Sequence, residues 1–122
     1  MYSSSKVQNE IDIKNSQKNY VILRLGSVCG YSSTDTMRIN IMPNLFSKIA
    51  SQNGTIKLFA GGKQIKSIVP LIDVVRCMKF MEEKENIKKE TFNLVKEIVT
   101  VKEVAEICKK YNPKVTVKIT DD

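Results

Sequence analysis

The sequence predicts an α/β fold of helices layered on a mixed small sheet, and three observations carry that prediction. Residues 20–25, YVILRL, are a near-continuous apolar run closed by Gly26, the pattern of a buried strand. Thr100-x-x-Glu103 is a helix start signal, and Val101, Val104, Ala105 and Cys108 follow it at helical spacing. Strand-like and helix-like stretches alternate along the chain, the order expected of an α/β arrangement. Three to four helices are expected within the 122 residues, with no repeat, low-complexity tract or linker dividing them.

The first helix is expected over residues 3–17. Val7 and Ile11 are four apart and could face a core, with Lys6, Glu10, Lys14 and Lys18 as polar positions. The strand at 20–25 follows, then a tight loop, Gly26-Ser27-Val28-Cys29-Gly30. In open α/β sheets ligands sit at such loops, beyond the carboxyl ends of strands. Residues 31–38 are Ser/Thr-rich and read as irregular. A second helix is expected over 42–52, with Pro43 in its first turn, Leu45, Phe46 and Ile49 on its apolar face, and Asn53-Gly54 ending it.

Residues 55–59 and 64–69 read as strands flanking the turn Ala60-Gly61-Gly62-Lys63, either as a hairpin or as an open corner. Pro70 stops the second strand, and Asp73 is expected to cap a helix over 74–83. Val74, Cys77, Met78 and Met81 keep helical spacing there, with the methionines as core filler. A brief strand is expected at 91–94. The capped helix then runs to Asn112-Pro113. Val115, Val117 and Ile119 alternate with polar residues in a last strand with one exposed face.

Composition narrows the function classes. No apolar run approaches the roughly 18 residues of a membrane span. The opening MYSSSKVQNEID has no apolar signal region, so a cytoplasmic location is expected. The absence of His excludes His-based metal sites and triads, and three separated cysteines, Cys29, Cys77 and Cys108, point to free buried thiols, with no metal site. The net charge of +7 favours anionic partners. The lysines alternate with acids and lack interleaved aromatics, which ranks a solvated surface first, a phosphate-binding patch second and nucleic acid third.

Tyr2 and Lys6 are four apart in the first helix, on one face and one turn from each other. An ammonium near a phenol favours the phenolate, which suits a tyrosine that exchanges protons near neutral pH. Four stretches in order then resemble one family, the extended short-chain dehydrogenase/reductases that act on nucleotide sugars, the NAD-dependent epimerases and dehydratases. Tyr2-Ser3-Ser4-Ser5-Lys6 resembles their Tyr-x-x-x-Lys helix. Leu23-Arg24-Leu25-Gly26-Ser27-Val28-Cys29-Gly30 resembles their Leu-Arg-Pro-x-Asn-Val-Tyr-Gly. Residues 56–75, IKLFAGGKQIKSIVPLIDVV, are similar to Ile-x-Leu-Phe-Gly-x-Gly-x-Gln-x-Arg-Asp-Phe-Val-x-Val-x-Asp-Val-Ala. Residues 100–108 resemble the Thr-Val-x-Glu-Val-Ala-Glu helix that follows.

The resemblance implies the C-terminal portion of a Rossmann-type fold and assigns roles. Tyr2 would exchange the proton of a sugar hydroxyl, and Lys6 would lower its pKa and hydrogen-bond the nicotinamide ribose. NAD, or NADP, would take and return a hydride at a sugar carbon. Leu25, Ser27 and Val28 would flank the cofactor with Lys6. Ser27, Asn40, Leu58 and Lys66 would contact a nucleotide-diphosphate sugar, Lys66 at the position of an arginine that grips the diphosphate. Asp73 would cap its helix.

The departures are Lys66 for Arg, Ser67 for Asp, Leu25 for Pro, Ser27 for Asn and Cys29 for Tyr. Lys66 keeps the charge and loses the bidentate fork. The family's Gly-x-x-Gly-x-x-Gly fingerprint has no match in the sequence. The chain therefore reads as the C-terminal part of such an enzyme, with residues 1–30 a remnant of the cofactor domain and 31–122 the substrate-binding domain. Inactivity and weak NAD binding are expected of it alone. The alternative is a non-catalytic oligomerising module. In both readings Val7, Ile11, Val21 and Leu23 need cover, so a homo-oligomer is expected, with neither nucleic acid nor membrane as partner.

Overall fold

The computed structural model describes residues 1–33 and 36–120. Helix α1, Tyr2–Asn15, precedes strand β1, Val21–Leu25, and a short strand β2, Ser27–Cys29. Helix α2, Met42–Ser51, leads into β3, Thr55–Phe59, a 3-10 turn at Ala60–Gly62, and β4, Ile65–Pro70. Helix α3, Leu71–Glu83, is followed by β5, Glu90–Leu94, and β6, Glu97–Thr100. Helix α4, Val101–Tyr111, and β7, Thr116–Thr120, complete the chain. The irregular stretch expected at 31–38 is free of helix and strand in its described residues, and Thr34 and Asp35 lie outside them.

The strands form three small sheets, two parallel pairs and one mixed sheet of three strands, within the α/β class expected. β1 pairs in parallel with β5, from Val21 opposite Glu90 to Leu25 opposite Leu94. β4 lies between β2, parallel to it, and β6, antiparallel to it. β3 pairs in parallel with β7, Ile56 opposite Val117 and Leu58 opposite Ile119. The hairpin alternative for residues 55–69 is thereby overturned in favour of the open corner. Ala60, Gly61 and Gly62 all have positive φ (46°, 68° and 68°), and this turn carries the chain from one sheet into another. The loop expected at 26–30 is corrected in part, since Ser27–Cys29 is paired with β4. Through the β1–β5 pairing, β5 joins the sheet of β1.

The principal core lies between α2, α4 and the β3–β7 pair. Phe46, Ala50, Ile56, Leu58, Val104, Ala105 and Val115 are its buried residues. The alternation of β3 buries Ile56 and Leu58 and leaves Thr55, Lys57 and Phe59 outside. Gly62 allows α4 to approach the turn: a Cβ there would stand 3.0 Å from the Lys102 backbone nitrogen. α4 begins with the expected capping box. Thr100 Oγ1 accepts from the Glu103 N–H at 3.2 Å, and Glu103 Oε2 accepts from the Thr100 N–H at 2.6 Å. Those bonds from Thr100 hold the Glu103 carboxyl below its ordinary value. α3 lies against β4 and β2 and buries Val74.

Several expectations fail locally. α1 stops at Asn15, where the Ser16 hydroxyl donates to the Ile13 carbonyl at 2.7 Å and Gln17 turns left-handed at φ 59°. Val7 and Ile11 face no core: they are 59% and 44% exposed, and α1 buries no residue. Asp73 is not the cap of α3, which starts at Leu71 after the extended Pro70; its carboxylate lies 3.7 Å from Arg76 instead. Met78 is exposed rather than core filler. Ile119 is 64% exposed, because the core ends at Val115 and Val117.

The three cysteines are free and half-buried, and burial pushes the Cys29 and Cys108 thiols above the ordinary value. Among the described residues no His/Cys/Asp/Glu group could hold a metal, and no helix is long and apolar enough to cross a membrane.

Candidate functional site

α1 and β1 form a groove of about 520 Å3 that brings together three of the residues singled out in the sequence, Tyr2, Lys6 and Leu25. The helix is held there by one strong polar contact. Arg24 on β1 donates to both carboxylate oxygens of Glu10, Nε at 2.9 Å and Nη2 at 2.7 Å. The bidentate geometry is the most specific an ion pair adopts. It holds Glu10 below and Arg24 above their ordinary values. Lys14 adds a longer contact to Glu10 at 3.9 Å.

Helical spacing places Lys6 one turn after Tyr2. Its ammonium stands over the Tyr2 ring, 5.5 Å from the centroid, a cation–π contact rather than a pairing read from the hydroxyl. Tyr2 is 78% exposed, so its phenol is open to an incoming hydroxyl. Lys6 makes no ion pair among the described residues. Its donors suit vicinal ribose hydroxyls, so this groove fits the nicotinamide–ribose end of the NAD that the resemblance implies. The sequence carries no Gly-x-x-Gly-x-x-Gly turn of the kind that receives a pyrophosphate.

The loop beyond β2 is organised by a residue the sequence reading passed over. Asn44, on α2, is buried, accepts from the Gly30 N–H at 3.2 Å and donates to the Arg38 carbonyl at 3.0 Å. Helical spacing groups Asn44 with Ser47, Lys48 and Ser51, away from Phe46 and Ile49, so nothing in the sequence marked it for burial. Gly30 itself has φ 149° and would bring a Cβ within 3.3 Å of Leu71. Val28 lines a small concavity beside Gly30 and Asn44. Ser27 is exposed and in register with Ile68, two positions along β4 from Lys66. Asn40 is exposed just ahead of α2.

Lys66 lines a separate pocket of about 460 Å3 between α2, β3 and β4. Its floor is apolar, from Met42, Leu45 and Ile49, and its rim holds Lys57, Phe59 and Gln64. The Gln64 amide donates across the turn to the Phe59 carbonyl at 3.1 Å. Leu58 is a correction. Its side chain is 1% exposed, packed in the core, and cannot reach a ligand. The side of β3 that lines this pocket is the opposite one, Thr55, Lys57 and Phe59, and the period-2 alternation of TIKLF already separated the two faces.

The NAD dependent epimerase/dehydratase family model matches residues 1–94. A UDP-N-acetylglucosamine 4-epimerase from Methanobrevibacter ruminantium superposes with a TM-score of 0.81 at 15% identity, over 99% of this chain and 40% of that one. The UDP-glucose 4-epimerase of Thermotoga maritima gives 0.73 at 19% identity, over 98% and 39%. An NAD-dependent NDP-hexosamine 5,6-dehydratase of tunicamycin biosynthesis gives 0.76 at 19% identity, over 98% and 40%. These likenesses establish the fold, and the chain spans about two fifths of the length of each structure. No curated protein sequence matches the chain.

Proposed function

The chain belongs to the NAD-dependent epimerase/dehydratase family, and from that membership we propose a role in proton and hydride transfer at a carbon of a nucleotide-diphosphate sugar, with Tyr2 and Lys6 as the proton-transferring pair. The observation that carries the reading is the placement of Tyr2, Lys6 and Leu25 around one groove beside the carboxyl end of β1. Tyr2 presents an exposed phenol to a sugar hydroxyl and takes its proton. Lys6, one turn on, favours the phenolate and donates to ribose hydroxyls. Leu25 in this groove meets the cofactor's reactive end, and Ser27 and Val28, next along the chain on β2, meet the cofactor and the sugar beyond it. NAD, when bound, supplies reversible hydride acceptance. Lys66 meets the diphosphate, with Asn40 at the mouth of α2.

By themselves these 122 residues are expected to bind a nucleoside diphosphate, to bind NAD weakly and to turn nothing over. NMR titration with UDP-glucose and NAD tests this. Shifts on Phe59, Gln64 and Lys66 with the sugar nucleotide, and only millimolar response to NAD, are expected. Tight NAD binding, or shifts confined to other surfaces, would refute the reading. When the chain is fused to the glycine-rich half of a relative, epimerase or dehydratase turnover should appear and fall at least about 100-fold on Tyr2→Phe.

A second reading, a self-associating module, draws on the exposure of Val7 and Ile11 beside a two-stranded β1–β5 sheet. Such a pair is marginal unless another surface covers it. Light scattering decides: a monomer at high concentration rejects self-association.

A further inference from the structure

We propose that Lys57 is a phosphate-binding residue, and that its ammonium and that of Lys66 together replace the arginine fork of the family pattern. The inference rests on the reading that the pocket between α2, β3 and β4 takes a nucleoside diphosphate, and it assigns to Lys57 a role that the motif does not contain, since position 57 is a variable one in that pattern.

Three observations converge on it. First, Lys57 and Lys66 line the same pocket, and no Asp or Glu lines it with them. Second, neither lysine makes an ion pair among the described residues. Third, Lys57 is in register with Lys118 on β7, so two ammonium-bearing side chains stand side by side on the outer face of the β3–β7 pair. Like charges placed opposite each other on neighbouring strands repel and destabilise the pair. An anion held over Lys57 turns that repulsion into attraction.

The chemistry of the occupant follows from the lining. An apolar floor with Phe59 at the rim accepts a planar base, and the cations accept its phosphates. A lysine is a point charge that cannot grip two phosphate oxygens in one plane as a guanidinium does. Two lysines from β3 and β4, strands of different sheets that both line this pocket, restore two-point recognition, one ammonium for each phosphoryl group. Replacing Arg by Lys at position 66 is therefore compensated from β3 rather than simply tolerated.

The test is an NMR titration of the 122-residue chain with UDP, uridine and inorganic pyrophosphate. UDP should bind, and Lys57→Gln should weaken UDP and pyrophosphate about tenfold while leaving uridine unchanged. Lys66→Gln should do the same. Lys57→Gln combined with Lys66→Arg should recover most of the loss. Lys79→Gln, on α3 and paired with Glu83, should change nothing. Circular dichroism checks that each variant is folded, which the exposure of Lys57 favours. UDP binding that survives Lys57→Gln but falls with Lys66→Gln overturns the role of Lys57 and leaves the pocket reading standing. Equal weakening of UDP and uridine also overturns it, because Lys57 would then shape the pocket and not meet phosphate. Failure of the unmutated chain to bind UDP overturns both.

Discussion

The turn between β3 and β4 makes a prediction of opposite signs at two neighbouring positions. Ala60 has φ 46° in the left-handed region, where its Cβ crowds the following carbonyl; this costs roughly 1–2 kcal/mol relative to glycine. Glycine loses about 0.5–1 kcal/mol more backbone entropy on folding. Ala60 is exposed, so its methyl contributes little packing. Ala60→Gly should therefore stabilise the chain by about 0.5–1 kcal/mol, or roughly 2–5 °C in Tm for a domain of this size. Gly62→Ala should do the reverse. Its φ of 68° adds the same strain, and the new Cβ would lie 3.0 Å from the Lys102 nitrogen and 3.2 Å from its Cα, backbone atoms that cannot swing aside. A loss of about 2–3 kcal/mol is expected. Thermal and guanidinium unfolding of both variants, followed by circular dichroism, gives the two shifts. If Ala60→Gly lowers Tm by several degrees, or Gly62→Ala is neutral, the left-handed geometry assigned to this turn is wrong.

The remaining predictions concern the core, the cap and the loop. Leu58→Ala should cost about 2–5 kcal/mol in chemical unfolding, whereas Ile119→Ala, at its exposed register partner, should cost under about 1 kcal/mol. Asn44→Ala should cost about 1–2 kcal/mol, since it strips partners from the Gly30 N–H and the Arg38 carbonyl, and amide exchange at Gly30 should accelerate. Glu103 is held below its ordinary pKa of 4.5, so its stabilising effect is present above that value and fades as pH falls through the lowered one. Melts between about pH 6 and pH 3 should show a shallower acid loss in Glu103→Gln than in the unmutated chain.

Much of this fold was legible because its signals are local. The capping box at Thr100 and Glu103 is written within four residues, and the stripe of Val101, Val104, Ala105 and Cys108 names the face α4 turns inward. The Tyr2–Lys6 spacing needs nothing beyond a helix to bring the two side chains together. Strand β6 was missed because EIVT is short and half exposed, and it pairs only because β4 runs alongside. α1 was misjudged for a related reason. Val7 and Ile11 promise a face, but Lys, Asn, Gln and Glu surround them, and α1 is held by Glu10 on Arg24 instead.

The candidate site divides in the same way. The sequence alone singled out Tyr2, Lys6 and Lys66 as candidates, because each sits in an ordered motif. It did not show which face of β3 looks outward, although the alternation of Ile56 and Leu58 with Thr55, Lys57 and Phe59 contained that choice in principle. Nor could it join Lys57 to Lys66 or set Lys57 beside Lys118, since these neighbours come from three different strands. Side-chain periodicity reports that a strand has two faces. Which face is buried, and which distant strand lies alongside, depends on how α2, α4 and the turn at Ala60–Gly62 pack as a whole. The sequence by itself determined the longer elements and the motif residues. Only the tertiary structure decided their pairing, because strand partners and pocket walls are chosen by packing between segments far apart in the chain.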